Sequence, residues 1–192
     1  FDALELDYVA AGGHKWLMGP EGTGFVWVAP HRLEQLEPNF ASWLSHQQGL
    51  RFLFEGRGLL RYDRPMHRDA SMLEGGMSNV IGLAALSASV ELIEQLGVEE
   101  IAAHIQSYHD ALEAGLSARG WRSVRAQDAA GRSGILSMEI PNHITVSRMT
   151  AHLASRRIVV NCPDGLMRFS PHWPNGMHEI DIVLAAVDNF DG

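Results

Sequence analysis

The sequence is short of cysteine, of positive charge and of long apolar runs, and each shortage removes a class of protein. A single cysteine, Cys162, excludes an internal disulfide. Ten histidines are present, yet there is no HExxH, no cysteine pair and no tight His/Asp cluster, so no metal is expected. Fifteen basic against twenty-three acidic side chains leave a formal net charge of -8. That balance opposes binding along a phosphate backbone or an anionic membrane, so neither nucleic acid nor membrane is expected as a partner. With no signal-peptide pattern and no span-length apolar run, a cytoplasmic location is expected. An initiator methionine is also missing, and the opening FDALELDYVA reads as the middle of a fold, which predicts a fragment.

What is present is enough apolar material for a core: 192 residues, 46% of them hydrophobic, suffice for one good-sized domain or two small ones. ELDYVAA and GFVWVA are strand-forming runs on either side of a glycine-rich segment, predicting two strands of a buried sheet joined by a long turn. HRLEQLEP predicts a short helix stopped by Pro38, and the stretch up to residue 75 has no clean period. From Ser78, the residues Val80, Ile81, Ala84, Ala88, Ile93 and Leu96 recur at helical spacing up to Gly97. A second helix carries Ile101, Ile105, Tyr108, Leu112 and Leu116 on one face and stops at Gly120. GILSMEIP alternates as a half-buried strand, TVSRMTAHLASRR reads as a helix through Val146, Met149 and Leu153, and IVVN and LMRFS read as strands. A last helix presents Ile180, Val183, Leu184 and Val187. The expected class is α/β, with a boundary near Gly97 separating residues 1–97 from a small α+β domain at 98–192.

Lys15 sits on the connection between the first two strands, within AAGGHKWLMGPEGTGFVWV. The Gly-Gly pair before it and Trp16, Leu17 and Met18 after it suggest close backbone approach and a packed wall. In such a setting an ammonium is desolvated and becomes available as a neutral amine for a Schiff base; the ordinary alternative is a solvated surface lysine. GPEGTG is not a phosphate loop, because no Lys-Ser or Lys-Thr follows it. His14 offers a donor to an anion, or is simply a turn histidine. Arg168 shares a strand face with Leu166 and Ser170 rather than with Met167 and Phe169, which suits a carboxylate clamp or a solvated sheet face. Cys162 reads as a small apolar-like residue at a strand end. Arg57, Arg61 and Arg64 could favour an acidic substrate side chain, although solvated loop charges are their commoner use.

Taken together, DYVAAGGHKWLMGPEGTGFVWV, LEGGMSNVIGLAALSASVELIEQLG and LMRFSPHWPNGMHEID resemble the class V aminotransferase family, the pyridoxal-phosphate enzymes that include cysteine desulfurases and isopenicillin N epimerase. The resemblance implies a fold type I pyridoxal-phosphate-dependent transferase, present here as the end of the large domain with its connecting helix and the small C-terminal domain. It further implies that Lys15 forms the Schiff base with pyridoxal 5'-phosphate, that His14, Gly76, Met77 and Ser78 lie at the cofactor, and that Arg168 holds the α-carboxylate of an amino-acid substrate in a homodimer. Transamination, epimerisation and β-elimination remain open as the reaction.

Three departures from the family pattern stand out. Gly12 replaces a serine two positions before the histidine, and Met77 replaces a phosphate-binding threonine that reaches the neighbouring subunit, so either Ser78 or helix-start amides substitute or cofactor affinity is reduced. Cys162 lies in a short NCPDG link, unlike the longer loop of the desulfurases, and sulfur transfer is not expected. The family's ring-nitrogen aspartate, ring-stacking residue and first phosphate turn precede the lysine and are not in these residues. The chain alone is therefore expected to turn over little, if at all, and to expose apolar surface. The alternative is a non-catalytic product in which 98–192 persists as a structural or interaction module.

Overall fold

A computed structural model, which describes residues 4–191, divides the chain into two compact units, Phe1–Ile93 and Glu94–Gly192. The division falls inside a helix, a few residues before Gly97.

In the first unit, β1 (Tyr8–Gly12) pairs antiparallel with β2 (Gly24–Val28), in register from Tyr8↔Val28 to Gly12↔Gly24. The branched and aromatic residues form the two expected strands, but the sheet is not the buried one that they predict. Tyr8, Phe25 and Val26 are exposed and Val28 is buried. A two-stranded ribbon needs a covering layer on each face to be dry, and among the described elements it is the short 3-10 turn at Ala70–Leu73 that packs most closely on β2 after β1. The expected helix after β2 shrinks to α1 (Pro30–Leu33), with proline in its first turn. The Asp7 carboxylate, accepting from Arg32 Nε at 2.8 Å and paired with His31 Nε2 at 2.9 Å, ties α1 back to the start of β1.

The aperiodic stretch that follows is organised by the buried His46, whose ring nitrogens lie 2.5 Å from the Ser42 carbonyl and 3.0 Å from the Tyr62 carbonyl. Periodicity cannot reveal such a centre, because one polar side chain does the work of an apolar stripe.

The helix expected from Ser78 is α2 (Val80–Leu96). Its buried face is only in part the one that the apolar spacing suggests: Ile93 is buried as expected, but Val80 and Ile81 are 70% and 86% exposed, and Gly82 and Leu86 are buried in their place. Gly82 explains the rotation, since a Cβ there would lie 2.7 Å from the Thr23 methyl. The helix comes close because that position has no side chain. Asn79 caps it, its Oδ1 accepting from the Gly82 N–H at 3.0 Å and its carbonyl from the Leu83 N–H at 2.8 Å. Replacing Asn79 by alanine should lower the stability of this unit by about 1 kcal/mol; a urea midpoint unchanged from wild type would show that the cap contributes nothing.

The second unit runs α3 (Val98–Ser117), β3 (Arg122–Ser123), β4 (Leu136–Glu139), α4 (Val146–Ser155), β5 (Met167–Phe169) and α5 (Glu179–Asp188). All five apolar residues expected on α3 are buried. The sheet is antiparallel in the order β3-β4-β5, with Leu136↔Phe169, Ser137↔Arg168 and Met138↔Met167 opposed. Its inner face sends Leu136, Met138 and Met167 into a core shared with Leu112 and Leu116 of α3 and Met149 and Leu153 of α4. The alternation expected along GILSMEIP is therefore observed.

Two expectations change in this unit. The two-residue β3 is too short to leave a pattern in the sequence. IVVN is not a strand: Asn161 alone bridges to Arg168, and Val159 is 89% exposed. Arg157, at φ 63°, turns the chain just before it, and three apolar residues without a ladder do not hold an extended run.

Beside the core lies a charged cluster. The Arg125 side chain is 3% exposed and donates through Nη1 to Asp110 (2.6 Å) and Glu113 (2.7 Å) and through Nη2 to Gln106 (2.6 Å), three residues along one face of α3.

Candidate functional site

Lys15 stands at the tip of the loop between β1 and β2, and the loop is closed by its own backbone. The Gly13 N–H donates to the Thr23 carbonyl (2.7 Å), the Gly19 N–H to the Gly13 carbonyl (2.8 Å) and the Met18 N–H to the Lys15 carbonyl (2.9 Å). Ser89 of α2 donates its hydroxyl to the Leu17 carbonyl at 2.7 Å, and the buried Thr23 donates its own to the Pro20 carbonyl at 2.6 Å. Glycine is required where the loop meets the helix. A Cβ at Gly13 would lie 2.7 Å from Thr23 Oγ1, and one at Gly19 would lie 2.6 Å from a Leu86 methyl.

These contacts turn the lysine outward. Lys15 is exposed, with Trp16 and Met18 exposed beside it. The desolvating wall expected from Trp16, Leu17 and Met18 is not built, because the loop spends its close approach on Gly13 and Gly19 against Leu86 instead. Among the described residues, Lys15 has no hydrogen-bond or ion-pair partner for its amine. It is also the only lysine in the sequence, whose remaining fourteen basic residues are arginines.

His14 is exposed next to it, and its ring lies over Gly12: a Cβ at Gly12 would meet the His14 Cε1 at 3.2 Å. Glycine in place of the family's serine thus makes room for this imidazole. Gly76, Met77 and Ser78 lead into α2, with Gly76 half-buried and Ser78 exposed. Met77 is 84% exposed, and the Ser78 carbonyl accepts from the Val80 N–H at 2.9 Å. The cap of that helix is Asn79, a residue the sequence reading passed over although an asparagine directly before a helical run is a recognisable start signal.

Arg168 lies in the second unit at the centre of β5, on the face opposite Met167 and Phe169, as strand alternation requires. Its Nε is buried without a hydrogen-bond partner, and it forms no ion pair among the described residues. Cys162 is half-buried, 3.0 Å from Thr150 Oγ1 and 3.6 Å from Met167 Sδ. The loop arginines are engaged locally: Arg61 donates from Nε to Asp63 at 2.8 Å, and Arg64 binds the carbonyls of Leu59 and Gln48. The Arg61 hydrogen bonds hold the Asp63 carboxyl down to about 2. No group of three or more His, Cys, Asp or Glu side chains is assembled for a metal among the described residues.

The first unit thus carries a solitary exposed lysine on a glycine-pinned loop followed by a capped helix, and the second an arginine with an unmet donor. Residues 1–167 match the family model described as aminotransferase class-V, and the chain belongs to that family. Arg168 falls one residue beyond the matched stretch.

The chain is 28% identical over 203 residues to the isopenicillin N epimerase of Streptomyces clavuligerus, covering 98% of this chain and 48% of that protein. Against the solved structure of the cysteine desulfurase CsdA from Escherichia coli, the TM-score is 0.80 at 25% identity, covering 97% of this chain and 46% of that one. A structure of C-DES with glycine covalently linked to its PLP cofactor gives a TM-score of 0.83 at 23% identity, covering 100% and 48%. The fold is that of the fold type I pyridoxal-phosphate-dependent transferases. The chain spans about half the length of the curated relatives it matches.

Pyridoxal 5'-phosphate is the cofactor of this family, and the residues present fit its carbonyl end: an accessible amine with no competing partner, held on a braced loop. At the phosphate end, positions 12 and 77 carry no hydroxyl, and the neighbouring side chains with a donor are His14 and Ser78.

Proposed function

We propose that this chain supplies the lysine-bearing part of a pyridoxal-phosphate-dependent enzyme that acts on an amino acid. The observation that carries the reading is Lys15: one exposed, unpartnered amine on a loop braced by backbone hydrogen bonds, in a chain with no other lysine. When bound, the cofactor supplies a carbonyl to be held by an amine and a ring that withdraws electrons from the substrate Cα. Lys15 Nζ would hold that carbonyl and, when free of it, would take or return the proton at the substrate Cα. His14, Gly76, Met77 and Ser78 would hold the phosphate end, with His14 as a donor. Arg168 holds the substrate carboxylate and so fixes which bond at Cα is presented for reaction. Transamination, epimerisation and β-elimination all begin with these steps.

A homodimer is part of this reading, supported by the exposure of Met77, Val80 and Ile81 together at the start of α2. A second reading, residues 98–192 as a structural or interaction module, draws support from the dry core that this part of the chain assembles from its own elements.

The sole lysine makes the test direct, because only the N-terminal amine competes with it. Pyridoxal phosphate should label the wild-type chain once at Lys15 after borohydride reduction, at least tenfold more tightly than it labels Nα-acetyl-lysine. Lys15→Ala should lose that label and its visible band. Affinity equal to that of the free amino acid would mean that the loop contributes nothing and the proposal fails.

A further inference from the structure

The register of the small sheet places two polar residues beside Arg168. Ser137 of β4 is its direct cross-strand partner on one side, and Asn161 forms a bridge with it on the other. Residues opposed across an antiparallel pair project to the same face, so Ser137, Arg168 and Asn161 form one row on the face that turns away from Met138 and Met167.

The hydrogen bonding fixes how close they are. The Ser137 carbonyl accepts from the Val124 N–H at 3.1 Å, away from β5, which makes Ser137 and Arg168 the non-hydrogen-bonded and therefore closer kind of pair. On the other side the Arg168 N–H donates to the Asn161 carbonyl at 2.7 Å, with the Asn161 N–H 3.5 Å from the Arg168 carbonyl. Both neighbours thus have their Cβ about 5 Å from that of Arg168.

The row is polar and unspent. Among the described residues neither the Ser137 hydroxyl nor the Asn161 carboxamide makes a side-chain hydrogen bond, and Arg168 Nε is buried without a partner. Glu139, which shares this face of β4, is already engaged by Arg122 Nε at 2.7 Å. No carboxylate of the sheet satisfies Arg168.

We propose that Ser137 and Asn161 complete, with Arg168, a three-donor cradle for a single carboxylate. This rests on the reading of Arg168 as the carboxylate-binding residue and deepens it by naming what sets its selectivity. A guanidinium fork, a carboxamide NH2 and a hydroxyl together match the lone pairs of one carboxylate. With neutral donors on either side of one positive charge, the row accepts a monocarboxylate and gives no charge compensation to a second anionic group.

The test follows the side-chain Nε–Hε resonance of Arg168 in the 15N-labelled 192-residue chain, assigned by its loss in Arg168→Lys. The probes are N-acetylglycine and its neutral amide. N-acetylglycine should shift the resonance saturably and the amide should not. Asn161→Ala and Ser137→Ala, at an exposed and a half-buried position, should each weaken binding about tenfold. Asn161→Asp should place a carboxylate against Arg168, move the resonance before any probe is added and abolish the titration. If Arg168 responds to the probe but both alanine variants bind like wild type, or Asn161→Asp leaves the free resonance in place, the cradle is wrong and the role of Arg168 stands. If Arg168 does not respond in the wild-type chain, the carboxylate reading falls and the cradle with it.

Discussion

Replacing Gly24 by alanine should destabilise the first unit by about 3 kcal/mol and loosen the loop that carries Lys15. The added Cβ would lie 2.4 Å from the Ala11 carbonyl oxygen and 3.3 Å from the Gly12 Cα, both backbone atoms of the facing strand. No side chain can swing aside, so β1 and β2 must separate where the Gly12↔Gly24 pair closes the loop. Gly22 provides the contrast. It sits at φ 77° with nothing within 4 Å of a built Cβ, so Gly22→Ala should cost only the left-handed backbone strain, about 1 kcal/mol. Urea unfolding of the two variants, together with the affinity of Lys15 for pyridoxal phosphate, checks both halves. A loss for Gly24→Ala no greater than for Gly22→Ala would show that the strand pair yields freely and is not what braces the lysine.

Acid should weaken the second unit well before its carboxylates titrate. His109 is fully buried in α3, and neither of its ring nitrogens has a hydrogen-bond partner. Burial, reinforced by the nearby Arg125 charge, lowers its pKa from 6.5 to about 4. The folded state therefore refuses a proton that the unfolded chain accepts. Stability is highest above the unfolded value, falls as the pH drops from 6.5 towards 4, and is not reduced further by this group below that. The shift corresponds to about 3 kcal/mol over that window. Glu113 adds a separate loss at lower pH: although burial opposes it, hydrogen bonds from Ser123 and Arg125 hold its carboxyl below the usual range. His109→Leu keeps the volume and removes the titration, so its stability should be nearly flat between pH 6.5 and 4.5, while the wild type declines. Parallel curves for the two proteins would rule His109 out as the source.

How far the sequence reads depends on which face of an element is repeated. α3 is legible because Ile101, Ile105, Tyr108, Leu112 and Leu116 mark one side of a helix that packs with that side. β4 is legible because Leu136 and Met138 alternate with Ser137 and Glu139. α2 misleads, because Val80 and Ile81 suggest a face that a glycine, Gly82, overrides by close approach. The stretch around His46 is silent, because its order comes from one buried ring set between two carbonyls that are far apart in sequence.

For the site, the sequence by itself determined the chemistry on offer: one lysine behind a histidine and two glycines, one arginine on the solvent side of a strand, and the family these imply. It also determined the glycines, whose meaning is local and steric. Only the tertiary structure decided that Lys15 stands in solvent rather than behind a wall of Trp16 and Met18, since burial depends on what the loop packs against and Leu86 lies seventy-one residues further along. Only the strand register decided that Ser137 and Asn161 flank Arg168. Pairing across a sheet is set by hydrogen bonds between distant segments, and a shift of one residue would have turned both to the opposite face.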